Sequence, residues 1–178
     1  MDFPFTNSFV DALGLIKDAA AKSNKSLGLL SSRKANAISK AAKEVWQSKH
    51  NDEFPLDVFQ TGSGTSSNMN ANEVIANLAT KFSGISIDPN DDVNMSQSSN
   101  DVIPTAIKVS AFLDISNKLY PALDKLISTI EVKANSIKGS VKTGRTHLMD
   151  AMPIDFSQEL NAWSVSYTHL TLPTTRLV

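Results

Sequence analysis

Hydroxyls, amides and one imidazole concentrate in three short stretches of this chain. Gln60 to Asn72, QTGSGTSSNMNAN, holds two glycines, two threonines, three serines, three asparagines and one glutamine, and its only apolar side chains are Met69 and Ala71. Asn94 to Asn100, NMSQSSN, has the same character, and Thr143 to His147, TGRTH, adds an arginine and a histidine. In the first stretch the glycines let a ligand approach the backbone. Its exposed N–H groups can form an anion nest, with Ser63 and Thr65 as hydroxyl donors. The lysine of a phosphate-binding P-loop is missing and the spacing differs, so that nucleotide motif fails. A small carboxylate suits these donors, and a hydrogen-bonded turn is the alternative.

The second stretch stands directly before a periodic apolar run. Donors at a helix N-terminus see partial positive charge, which favours a bound anion. Plain capping by Ser99, Asn100 or Asp101 needs one residue, whereas Ser96 to Asn100 places five polar residues in a row ahead of Asp101. In the third stretch, His147 is the side chain best suited to proton traffic near neutral pH. Arg145 can clamp a carboxylate or tie elements together through an ion pair. The three histidines, His50, His147 and His169, have no metal-ligand spacing, and no Ser-His-Asp order can be assigned.

The elements that must position these residues read as helices. Apolar residues recur at helical spacing from Phe9 to about Leu30, with Asn7 or Ser8 as a cap. Ser31 or Ser32 caps a second helix that runs to about Lys49. Asn70 or Asn72 caps a third from Glu73 to about Phe82, ended by Gly84. Asp101 then caps a stretch of helical periodicity that runs to Ile137, with Pro104 in its first turn and Pro121 expected to kink or split it. A helix of that length reads as one member of a larger bundle. Gly139 to Thr146 breaks the pattern, and Phe156 to Trp163 begins another helix. From Tyr167 to Val178, YTHLTLPTTRLV, no helical stripe is visible, so this tail is set apart as a strand-like end or a sequence-assembly artefact.

The 178 residues are 41% hydrophobic and 20% charged, with a net charge of −1 and no cysteine. That balance gives no electrostatic case for nucleic-acid binding. It excludes disulfides and thiolate metal sites. No signal peptide or stretch of 18 apolar residues is present, so no membrane association is expected. The reading is a soluble, intracellular, cytoplasmic protein.

Taken together, QTGSGTSSNMNANEVIA, PNDDVNMSQSSNDVIPTA and TGRTHLMDAMP resemble the N-terminal and early central part of a class II fumarase. That family belongs to the fumarase/aspartase superfamily of lyases. The resemblance covers about Pro4 to Trp163. It implies an all-α fold, with a mostly helical N-terminal domain over 1–97. Long helices of a central bundle start over 98–164, and the atypical tail occupies 165–178. The family forms homotetramers with a twenty-helix central bundle, and each active site is built from three regions on different subunits.

Residue by residue, the resemblance assigns Ser63 and Thr65 to substrate from the first region, and Ser98, Ser99 and Asn100 from the second. Thr146 and His147 come from the third, with His147 polarising or holding the water. Asn90 and Asp91 match a secondary anion site, where Asp88 replaces the histidine common in fumarases. Aspartases tend to read QSTND over Gln97 to Asp101 and to carry glutamine at the position of His147. Argininosuccinate and adenylosuccinate lyases lack the GSGT…NMN…NEV block in this form.

The implied reaction is reversible dehydration of (S)-malate to fumarate, without metal or organic cofactor. The alternatives are an aspartate ammonia-lyase-type enzyme and a non-catalytic helical oligomerisation module. The family's catalytic serine and a nearby lysine lie on a loop beyond residue 178, and its remaining bundle helices and C-terminal domain lie there too. The chain is therefore expected to be a fragment without hydratase activity of its own and with much of its long helix's apolar face exposed.

Overall fold

The computed structural model describes residues 5–60 and 63–175, with side chains through His169. Six α-helices and one two-stranded sheet carry the described chain. Two compact units, Met1–Leu113 and Asp114–Val178, divide it.

In the first unit, α1 (Asn7–Ser26), α2 (Ser32–Trp46) and α3 (Thr65–Ser83) pack into one core. Small residues let these helices approach closely: Ala12, Ala41, Ala42, Ala71 and Ala79 are fully buried, with Leu13, Ile38, Val45 and Ile75 filling the space between them. Ser31 caps α2 by accepting the N–H of Lys34. Thr6 stands at the start of α1 without a side-chain cap, so Asn7 and Ser8 are helical residues rather than caps. A π-helical turn at Pro89–Val93 precedes α4 (Ser99–Asp114), whose Val102 and Ala106 join the same core.

α3 begins at Thr65, well before the start expected at Glu73. The reason lies in Gly64, whose φ of 69° turns the chain directly into a helix. The polar residues that follow are one face of that helix: Ser67, Asn68 and Asn72 are buried. At the far end, Gly84 closes α3 in left-handed conformation as expected.

In the second unit, a π-helical turn at Ile115–Leu119 leads into α5 (Tyr120–Ser136). The backbone thus stays helical past Pro121, and the irregularity expected there takes the form of a widened turn before it. Proline has no N–H for the preceding turn and its ring crowds the carbonyl four residues back, which a wider turn relieves. Strands β1 (Val141–Thr146) and β2 (Met149–Asp155) form an antiparallel hairpin. Then α6 (Phe156–Thr175) packs along α5. Leu126, Ile130, Leu160 and Trp163 line a mostly apolar groove of about 380 Å³ between those two helices.

Over 165–175 the backbone is helical as part of α6, where a strand-like end was one expectation. Apolar residues along α4 and α5 stand largely in solvent, including Ile107 (55% exposed), Phe112 (57%) and Val132 (71%). That matches the expected exposed face. Among the described residues no helix is long and apolar enough to cross a membrane.

Candidate active site

The first two polar stretches meet in the first unit. Ser63 Oγ lies 3.1 Å from Thr65 Oγ1, which lies 3.3 Å from Ser99 Oγ. Thr65 and Ser99 are the opening residues of α3 and α4, so two helix N-termini come together at this hydroxyl cluster. Each terminus carries the positive end of a helix dipole, which favours an anion. Ser63, Thr65, Ser98 and Asn100 are exposed and Ser99 is half-buried, which leaves the cluster open to a ligand. Thr61 and Gly62, expected in the same nest, lie outside the described residues.

The junction is set by packing at Gly64. A Cβ there would stand 2.7 Å from Ile103 Cγ1 and 3.0 Å from two further atoms of that side chain. Glycine at this position therefore serves both the left-handed turn and the close approach of α4. Ser98, rather than Asp101, caps α4: its Oγ accepts the N–H of Asn100 and its carbonyl accepts those of Asp101 and Val102. Pro104 consequently lies inside the helix and not in a first turn begun at Asp101. It has no N–H to offer the carbonyl of Asn100.

Beneath the cluster lies a residue to which sequence reasoning gave no role. Lys17 of α1 is completely buried, and its ammonium donates to Asn68 Oδ1 (2.8 Å), Asn94 Oδ1 (3.1 Å) and Gln97 Oε1 (2.9 Å). Burial pushes its pKa down to about 7. A signal was available, since Lys17 falls four residues after Leu13 and four before Ala21, on the buried stripe of α1. A lysine in an apolar stripe needs partners.

The third stretch lies in the second unit. Thr146 ends β1, and His147 with Leu148 makes the two-residue turn of the hairpin, at φ 48° and 62°. That geometry fits a primed turn, in which both central residues take positive φ. His147 is exposed, with Nδ1 3.2 Å from Thr146 Oγ1. Arg145 pairs across the hairpin with Asp150 at 3.5 Å, in solvent, where such a pair contributes little. A register shift lies between Thr143 and Arg145, and a Cβ at Gly144 would meet the Met152 carbonyl oxygen at 2.6 Å. The hairpin thus presents Thr146 and His147 at its tip.

At Asn90 and Asp91, the backbone N–H groups are both taken by Asp88 Oδ1, at 2.7 and 2.8 Å. Those two bonds, from Asp91 first and then Asn90, hold the Asp88 carboxyl below its ordinary pKa. An external anion there would meet a carboxylate already in place. Asp92 accepts the Asp88 N–H and pairs with Lys34 at 2.6 Å, which anchors the turn to α2. Among the described residues no three His, Cys, Asp or Glu side chains gather as a metal site.

This geometry occurs in a chain with close relatives. At 56% identity over 156 residues, it matches the class II fumarate hydratase of Xylella fastidiosa, covering 88% of this chain and 33% of that protein. The class II fumarate hydratase of Saccharolobus solfataricus is 46% identical over 165 residues, which is 93% of this chain and 38% of that protein. The crystal structure of recombinant class II fumarase from Schistosoma mansoni superposes with a TM-score of 0.88 at 39% identity, over 94% of this chain and 36% of that one. The chain spans about a third of the length of the curated relatives it matches. The profile of a family described as lyase matches residues 1–171, and the chain belongs to that family.

Proposed function

We propose that the chain carries part of the dicarboxylate site of a fumarate hydratase, which interconverts (S)-malate and fumarate. The observation that carries this reading is the junction of Ser63, Thr65 and Ser99 at two helix N-termini, in a chain 56% identical to a class II fumarate hydratase. In the forward direction a base removes a proton from the carbon beside one carboxylate. The C–O bond on the neighbouring carbon breaks, and hydroxide leaves as water with a second proton. Charge accumulates on the carboxylate next to the carbanion. Preformed hydroxyl and N–H donors stabilise that charge without reorganising.

Ser63, Thr65, Ser98, Ser99 and Asn100 are assigned to the substrate's carboxylate and hydroxyl groups. Thr146 and His147 are assigned to the water that is lost or added. Asn90 and Asp91 keep a secondary anion role only if Asp88 yields their N–H groups. The proposal includes the division into an N-terminal domain over 1–97 and bundle helices over 98–164. It also includes a cytoplasmic homotetramer serving the fumarate–malate step of the tricarboxylic acid cycle, and the exposed apolar residues of α4 and α5 support a bundle.

The test is turnover by the full-length gene product. Fumarate absorbance should appear from (S)-malate and not from aspartate. Fumarate appearing from aspartate instead would replace this reading with an ammonia-lyase, and no turnover of either would leave the helical oligomerisation module.

A further inference from the structure

We propose that Lys17 is a positioning residue: its caged ammonium fixes the first turn of α3 against the segment that opens α4, and so sets where the hydroxyls of Thr65 and Ser99 meet. The cage matches an ammonium group hydrogen for hydrogen. Three N–H donors face three amide oxygens, those of Asn68, Asn94 and Gln97. Each amide is held in that orientation by its other end. Asn68 Nδ2 donates to Asn94 Oδ1, Asn94 Nδ2 to the Gln97 carbonyl, and Gln97 Nε2 to the carbonyls of Val93 and Met95. Turning any one of them would place N–H against N–H. A neutral amine offers two hydrogens and a lone pair, and would leave one oxygen facing that lone pair. The cage therefore favours the charged form and opposes the effect of burial. Among the described residues no carboxylate forms an ion pair with Lys17.

The cage joins the segments that bear the hydroxyls. Asn68 lies in the first turn of α3, and its own N–H bonds the Gly64 carbonyl. Gln97 lies just ahead of Ser98, the cap of α4. Between Asn94 and Gln97, Ser96 sits at a φ of 60°, a left-handed conformation that a non-glycine residue keeps only when its surroundings impose it. The Lys17 bonds on both sides of Ser96 impose it, and Asn24 of α1 adds a third tether through the Met95 carbonyl.

The test is Lys17→Met in the full-length gene product, read by amide hydrogen exchange and by kinetics. Exchange over 64–68 and 94–99 should accelerate roughly tenfold or more, the loss of bonds to a charged group, while the α1–α2 core is unchanged. Should Lys17→Met fail to fold, Asn94→Ala removes one cage oxygen and keeps the ammonium, and should accelerate the same two segments less strongly. Unchanged exchange, or a rise spread evenly over the unit, overturns the proposal. The kinetic arm rests on the fumarate hydratase reading: kcat/KM should fall roughly 10- to 100-fold, mainly through KM. A wild-type protein without hydratase activity would defeat that reading alone, and hydrogen exchange would still decide the role of Lys17.

Discussion

Replacing Gly64 with alanine separates the two reasons for glycine at the junction. The left-handed φ alone costs a non-glycine residue about 1–2 kcal/mol, offset by about 0.4–1 kcal/mol from the less flexible unfolded chain. Gly84→Ala measures that balance by itself, because Gly84 has nearly the same φ of 68° and no atom within 4 Å of the added methyl. At Gly64 the methyl also meets Ile103 Cγ1 at 2.7 Å. Overpacking of this kind costs about 1–3 kcal/mol. Gly64→Ala should therefore destabilise more than Gly84→Ala by about that amount. The assay is urea unfolding of the full-length gene product at one protein concentration. Ile103→Ala should be less costly in the Gly64→Ala background than in the wild type, with a coupling of at least about 1 kcal/mol. Equal costs at the two glycines, together with additive effects of Gly64 and Ile103, would refute the argument that this contact sets the approach of α4 to α3.

Two further perturbations follow from the described contacts. The N–H bonds from Asp91 and Asn90 lower the Asp88 pKa on folding. The folded carboxyl then holds its proton less tightly than the unfolded one. Its stabilisation is full above the unfolded pKa of about 4 and is lost as pH falls through the lower folded value. The advantage of wild type over Asp88→Asn in urea midpoint should thus shrink as pH drops below about 4, and a constant advantage down to acid pH would count against the bonds. Gly144→Ala should raise amide exchange throughout β1 and β2, since the methyl meets the Met152 carbonyl oxygen and backbone must move; exchange at wild-type rates would show that the hairpin is not closed at that point.

Much of the helical frame was legible because burial follows spacing. Leu13, Ile38 and Ile75 lie on the faces their periodicity assigned, and Ser31 and Gly84 mark ends as their chemistry suggests. The start of α3 was not legible, because Ser67, Asn68 and Asn72 are buried polar residues that a hydrophobicity pattern reads as loop. Asn68 finds its buried partner in Lys17, which is remote in sequence. The hairpin was equally hidden. Its turn uses His147 and Leu148 at positive φ, where sequence reasoning looks for asparagine and glycine. All three polar stretches were picked out by composition, and the contact between Thr65 and Ser99 emerged only once α3 and α4 were folded together.

The central claim is that the hydroxyls at this junction bind a dicarboxylate in its reacting form. Thr65→Val tests it most directly, since valine keeps the shape and removes only the hydroxyl between Ser63 and Ser99. In the full-length gene product, kcat/KM for fumarate hydration should fall roughly 10- to 100-fold, the range for a hydrogen bond to a charged group, with the urea midpoint unchanged. Activity within about twofold of wild type, against the loss expected for such a bond, would contradict the account and leave the junction a structural contact between two helices.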